Sequence, residues 1–291
     1  MIEAGAARPV VADRDLRPRQ AVGDAELRLR ADENFREMYR HLARGSASGV
    51  FVERERGACL IATGVPFALF NPAFPGPVIT SAPGSKGGAF LASARTFYQR
   101  RRLPWALVLD EDEPAAGPAT PRQLLLAGLR PVEPLPVLVH ATRPGAHWPP
   151  AAPWLDVRLV RTNEETADHR AILHAAFGIP EAMSRLVASV APASPLLVLY
   201  VAYDRATKQA VGSAALCEGG GLAGVYNVAT HPDFRRKGVA VTLMRAVLDE
   251  ARARGLQLSV LQSSPAGRSL YSHLGFQHLK TYAVYVCDGT A

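Results

Sequence analysis

The sequence predicts an α/β protein: a mostly antiparallel mixed sheet flanked by helices, arranged as two units in tandem. Three observations carry this expectation. The chain, at 291 residues, is longer than an ordinary single domain. Short apolar runs of strand character alternate with stretches of helical spacing along its length. A Pro-, Gly- and Ala-rich segment, TRPGAHWPPAAP, interrupts it between Thr142 and Pro153. The organisation expected is an arm over 1–25, a first unit over 26–142, a linker over 143–153 and a second unit over 154–291. Trp148, inside the interruption, leaves open a loop packed within one large domain.

Hydrophobic residues make up 48% and charged residues 20%, which excludes a disordered chain. The formal charge of +7 suits an anionic partner, whether nucleic acid, an acidic surface or a phosphorylated ligand. The basic stretch YQRRR at 98–102 stands apart from the other cations and lacks a basic helix with interleaved aromatics, so no nucleic-acid partner is expected. Cys59, Cys217 and Cys287 are odd in number and outside any metal-ligand spacing. They read as reduced thiols, with no metal expected. No apolar run is long enough to cross a bilayer, and Asp13, Arg14, Asp15 and Arg17 charge the start of the chain. A cytoplasmic protein with no membrane partner, monomeric or homodimeric, is the expectation.

In the first unit DENFREMYRHLARG has helical spacing with Asp32 as its cap, and GVFVERERGACLIATG reads as a hairpin. An irregular PFALFNPAFPGP follows, then a helix ending near Arg102, a strand WALVLD, a helix over Pro121–Ala127 and a strand LPVLVH. APGSKGGAF is glycine-rich ahead of a helix and is a weak candidate anion cradle.

The second unit opens with the strand LDVRLVRT, a helix capped by Asn163 and another begun by Pro180. LLVLYVAYD and QAVGSAALCE form an antiparallel pair about a polar turn, and LAGVYNVAT follows a turn at Gly219–Gly221. Val239, Ala240, Leu243, Met244, Val247, Leu248 and Ala251 then recur at helical spacing, up to a stop at Gly255. A strand LQLSVLQ, a short helix ended by Gly275 and a last strand KTYAVYV complete the unit.

Arg235, Arg236 and Lys237 crowd against Gly238 just ahead of that amphipathic helix. A helix start offers unpaired amides and a partial positive charge, and a glycine lets the main chain approach an anion closely. Added cations point to a ligand with more than one phosphate. A solvated basic turn is the plain alternative for the tetrapeptide alone, but here strand, loop and helix start stand in the order a phosphate site needs.

Arg235-Arg236-Lys237-Gly238-Val239-Ala240 fits the pattern Arg/Gln-x-x-Gly-x-Gly/Ala, NVATHPDFRR precedes it, and SLYSHLGF follows at 269–276. In these stretches the region from about 155 to 287 resembles the GNAT superfamily of acyl-CoA-dependent N-acyltransferases. The order of elements in the first unit resembles the same fold in degenerate form, without the cofactor motif. The resemblance implies acetyl-CoA as co-substrate and a small-molecule or protein amine as acceptor. It places the pyrophosphate on amides from Arg236 to Ala240 (Lys237, Gly238 and Val239 between them), beside the Arg235 side chain. The pantetheine arm would lie along main-chain groups of Val228, Ala229 and Thr230. Tyr271 is implied as proton donor to the departing thiolate, with packing on the core as its plain alternative. Ser264 stands where relatives carry an asparagine that contacts the cofactor arm. No general base is distinctive among Glu218, Tyr226 and Asn227; Glu218 is the favoured candidate, and a solvated strand end is its alternative. The alternative function is an acyl-CoA-binding sensor or assembly protein without turnover.

Overall fold

The computed structural model describes residues 23–54, 57–76, 86–111, 121–143, 148–189 and 194–288. Most of the expected arm and much of APGSKGGAF lie outside them. Helix α1 spans Asp24–Arg44, with Asp24 and Glu26 in its first turn and His41 and Arg44 in its last, each suited to the helix dipole. It begins eight residues before the expected Asp32 cap, because Leu27, Ala31 and Phe35 recur four apart and pack on one core face. Asp32 therefore lies in mid-helix.

Strands β1 (Val50–Glu53) and β2 (Cys59–Ala62) form the expected hairpin. The stretch expected to be irregular contains strand β3 (Pro72–Phe74), paired with β2 and with β4 (Trp105–Asp110). What holds so short a strand is Asn71, fully buried, whose Nδ2 lies within hydrogen-bond reach of the carbonyls of Val65, Phe67 and Pro104. The remaining elements of this half are α2 (Lys86–Gln99), α3 (Pro121–Leu126), β5 (Arg130–Pro131) and β6 (Leu135–Ala141).

Then come β7 (Leu155–Leu159), α4 (Asn163–Phe177), α5 (Glu181–Ser189), β8 (Leu197–Asp204), β9 (Ala210–Gly219) and β10 (Leu222–Thr230). Helix α6 (Val239–Ala253), β11 (Leu258–Gln262), α7 (Pro265–His273) and β12 (Gln277–Cys287) follow. The cap of α4 is Thr162 rather than Asn163. Its hydroxyl accepts from the Glu165 amide while the Glu165 carboxylate accepts from the Thr162 amide, a reciprocal capping box.

The strands form one sheet in the order β1-β2-β3-β4-β12-β6-β11-β10-β9-β8-β7, with β5 also on β12. Each half supplies one parallel pair, β3 with β4 and β10 with β11. The last strands are exchanged: β6 lies against β11, and β12 against β4. One face of the carboxy-terminal strands is covered by α6, through Leu243, Met244, Val247 and Leu248. The other receives α4 and α5 together with Met38 and Leu42 of α1.

Buried polar contacts tie the halves together. Asn34 of α1, with no exposed surface, places Nδ2 3.0 Å from the carbonyls of Cys217 and Gly219 and 3.1 Å from that of Leu222. Lys280 of β12, also fully buried, donates to Asp32 and, at 3.0 Å, to Asp110, while Arg28 pairs with Asp110 at 3.1 Å. Within the expected linker, Trp148 is buried and its indole N–H donates to the Leu274 carbonyl at 2.7 Å. Among the described residues no helix is long and apolar enough to cross a membrane.

Candidate active site

The site begins where the sheet forks. Strand β10 keeps β9 on one edge as far as Thr230, but on its other edge pairs with β11 only at Ala223↔Ser259 and Gly224↔Val260. Beyond that point β11 follows β6 to Gln262, and β10 bends away through a bulge between Tyr226 and Ala229, where Asn227 has φ +54°. That second edge of β10, from Val225 to Thr230, is thus left without a strand partner among the described residues, beside a cleft of about 1520 Å³.

The loop after β10 closes one end of this cleft. A single 3-10 turn at Pro232–Phe234 leads to Arg236 at φ +63° and Gly238 at φ +83°, the residue before α6. Among the described residues no side chain caps this helix, and no acid stands in its first turn. The first i→i−4 bond is Thr242 N–H to the Gly238 carbonyl, so the amides of Val239, Ala240 and Val241 have no intrahelical acceptor. Those three residues, with Arg235, Arg236 and Gly238, line the cleft. This is an anion cradle with positive charge at its rim. Lys237 is not among the lining residues. Its Nζ donates to the Asp233 carbonyl at 2.9 Å and lies 4.9 Å from the centre of the Phe234 ring.

Helix α7 forms the opposite wall. Ser264 lines the cleft, and as N-cap its hydroxyl accepts from the Gly267 amide at 3.2 Å. Tyr271 is 8% exposed, has its ring edge-on to Phe276 and lines the cleft, with no hydrogen-bond partner for its hydroxyl among the described residues. Burial raises its phenol to about 12. One edge of the ring faces Gly267, where an added Cβ would stand 2.8 Å from Tyr271 Cε2 and 3.4 Å from Cδ2.

Val228, Ala229 and Thr230 therefore share one cleft with Arg235, Arg236, Gly238, Val239, Ala240, Ser264 and Tyr271. Glu218 is not brought there. It sits toward the far end of β9, opposite Ala223, with its carboxylate 3.9 Å from Arg254. Sequence reasoning passed over Gln262, which lines the fork, and Asn34, whose Oδ1 accepts from the Tyr226 hydroxyl at 2.7 Å. Neither carries a local signal, since only the pairing of distant strands brings them to the site. Among the described residues no cluster of three metal-ligating side chains occurs.

Residues 195–278 match the family model described as an acetyltransferase (GNAT) domain. Over 76 residues the chain is 37% identical to the [ribosomal protein bS18]-alanine N-acetyltransferase of Salmonella typhimurium, a stretch covering 25% of this chain and 49% of that one. The match thus spans about half the length of this curated relative. Among solved structures, a GCN5-related N-acetyltransferase from Kribbella flavida superposes with a TM-score of 0.67 at 17% identity, over 92% of this chain and 96% of the other. A tandem GNAT protein from the clavulanic acid biosynthesis pathway gives 0.58 at 15% identity, over 84% and 85%. At such identities these two likenesses speak for the fold.

Proposed function

We propose that the protein transfers the acetyl group of acetyl-CoA to a primary amine, a reading supported by the match of residues 195–278 to the family model of an acetyltransferase (GNAT) domain. The observation that carries this reading is the forked sheet, with a free strand edge running into an uncapped helix start flanked by arginines. The pyrophosphate rests on amides between Arg236 and Ala240, with Arg235 and Arg236 beside it. The pantetheine amides pair with Val228–Thr230 as an added strand would. Lys237 contributes charge rather than contact, and Ser264 shapes the turn it caps.

The neutral amine attacks the thioester carbonyl carbon, a C–N bond forms, the C–S bond breaks and the thiolate takes a proton. Tyr271 supplies that proton from the α7 wall. A phenol at about 12 facing a thiol near 8.5 makes the step uphill by roughly 5 kcal/mol for solvated sulfur. The same burial raises the basicity of the leaving sulfur, so donation is coupled to C–S cleavage rather than preceding it. The proton lost by the amine leaves to solvent through the open cleft, which has no carboxylate among its described lining residues, and the tyrosinate left on Tyr271 takes a proton back from solvent by the same route.

Calorimetry with CoA tests the first part of this reading, with one site per chain expected. Gly238→Glu should abolish that binding, because it sets a carboxylate at the helix amides. Its left-handed backbone costs about 1–2 kcal/mol, which a folded domain tolerates. Unchanged CoA affinity in a folded Gly238→Glu protein refutes the cradle. Acceptor-dependent consumption of acetyl-CoA tests the transfer itself; binding without consumption across a broad amine panel would favour a sensor.

A further inference from the structure

The amino-terminal half reaches the cleft through helix α1. This helix lies so close across the β9–β10 turn that side chains have no room there: a Cβ added at Gly220 would overlap the Arg30 carbonyl oxygen, and one at Gly219 would stand 2.9 Å from the Glu37 Cβ. Arg30 Nε donates to the Gly220 carbonyl at 2.9 Å, and Asn34 Nδ2 faces the carbonyls of Cys217, Gly219 and Leu222. The other end of the Asn34 amide lies along β10. Its Oδ1 covers Gly224, where an added Cβ would overlap both that oxygen and the Tyr226 ring, and it accepts from the Tyr226 hydroxyl at 2.7 Å.

Gly224 is also the last residue of β10 paired with β11, opposite Val260. Side chains two residues further along share the same face, so on an unbroken ladder Tyr226 would stand opposite Gln262. The backbones part there, yet the two side chains still meet, because the Gln262 amide reaches the Tyr226 hydroxyl from β11. One phenol is thus held by α1 and by β11 at the residue where the β10 bulge begins. Asn227 next to it takes φ +54°, and the free edge of Val228, Ala229 and Thr230 follows along the cleft. We propose, on the premise that the cleft binds acetyl-CoA, that Asn34 is a positioning residue for the cofactor arm. Through Tyr226 it fixes where β10 leaves β11, and so where the edge that receives the pantetheine stands. Asn34 has no exposed surface and touches no ligand, so the amino-terminal half serves this site by holding a strand.

The experiment measures, by calorimetry on the full chain, the affinities for acetyl-CoA and for 3′-phospho-ADP, which keeps the pyrophosphate and lacks the pantetheine arm; Tm is recorded beside them. Tyr226→Phe and Asn34→Ala should each weaken acetyl-CoA by roughly tenfold, the worth of about one hydrogen bond along the arm, and leave 3′-phospho-ADP unchanged. The double variant should lose no more than Asn34→Ala alone, because both act through one contact. Asn34→Asp keeps an acceptor for Tyr226 while giving up the amide N–H groups, so its Tm should fall with the ratio of the two affinities held at the wild-type value. A purely structural Asn34 would move Tm without moving that ratio. A wild-type ratio in Tyr226→Phe overturns the proposal, as does additivity in the double variant or an Asn34→Asp ratio as poor as that of Asn34→Ala. If Asn34→Ala does not fold, Tyr226→Phe and Asn34→Asp decide by the same ratios. Wild-type protein that binds neither compound refutes the cofactor reading, and this proposal with it, whereas wild-type binding with an unmoved ratio in the variants refutes this proposal alone.

Discussion

Gly267→Ala is the sharpest test of Tyr271, because it moves the ring without touching the hydroxyl or the cofactor loop. The added Cβ would stand 2.8 Å from Tyr271 Cε2, so the ring must shift by about 0.6 Å to reach ordinary contact. The hydroxyl lies beyond that edge and moves at least as far. A misplacement of 1 Å costs on the order of 100-fold in rate, so a shift of this size should cost roughly tenfold. Stability should not fall in parallel, since replacing glycine by alanine inside a helix is worth roughly 0.5–1 kcal/mol, which offsets the displaced packing. The assay is kcat at saturating acetyl-CoA and acceptor, beside CoA affinity and Tm. Affinity and Tm should stay level while kcat falls about tenfold. In a Tyr271→Phe background, itself expected to lose about 100- to 10,000-fold, the alanine should add nothing. A Gly267→Ala protein with wild-type kcat, or one with the same loss in both backgrounds, would refute the reasoning.

Lys280→Met should destabilise the protein by about 3 kcal/mol in denaturant titration, because Asp32 and Asp110 lose a fully buried ammonium while Arg28 still holds Asp110; a loss under 1 kcal/mol would show that the cross-half ion cluster is dispensable. His169 is fully buried, and burial lowers it to about 4. The unfolded chain therefore binds the extra proton between about 6.5 and 4, and stability should fall by roughly 3 kcal/mol as pH drops through that window. Urea midpoints of the His169→Gln variant should lose this part of the slope, and a parallel slope in both proteins would assign acid sensitivity elsewhere. A fragment ending near residue 145 should fail to fold by circular dichroism, because β4 loses β12 and β6 loses both β11 and β12; a cooperative unfolding transition of that fragment would contradict the exchanged sheet.

The grouping of most candidate residues along one cleft was legible in the sequence because the pieces that line it are local. Gly238 before a periodic apolar stretch fixes a loop, a left-handed residue and a helix start within a few positions, whatever the rest of the chain does. Tyr271 needed only the period of one short helix to face the same way as Leu274 and the strand beyond. The cap of α4 was legible to within one residue, since Thr162 and Asn163 are neighbours with similar capping chemistry and only the actual turn of backbone decides between them, whereas the start of α1 lies eight residues before the expected cap.

The tertiary structure decided what depends on pairing between distant residues. Strand β3 carries too few residues to announce itself and exists because buried Asn71 holds its start. The exchange of β6 and β12 is not readable from either strand alone, since β6 and the end of β12 are apolar and the buried Lys280 of β12 finds its partners Asp32 and Asp110 only once the two halves meet. Asp32 reads locally as a helix cap, yet it is a mid-helix partner of Lys280, 248 positions away. Glu218 sits on the expected strand, but which end of that strand meets the cleft was settled by where β10 leaves β11. Composition and period fix what each segment is; the fork and the cross-half contacts of Asn34 arise only when separated segments bury the same surface.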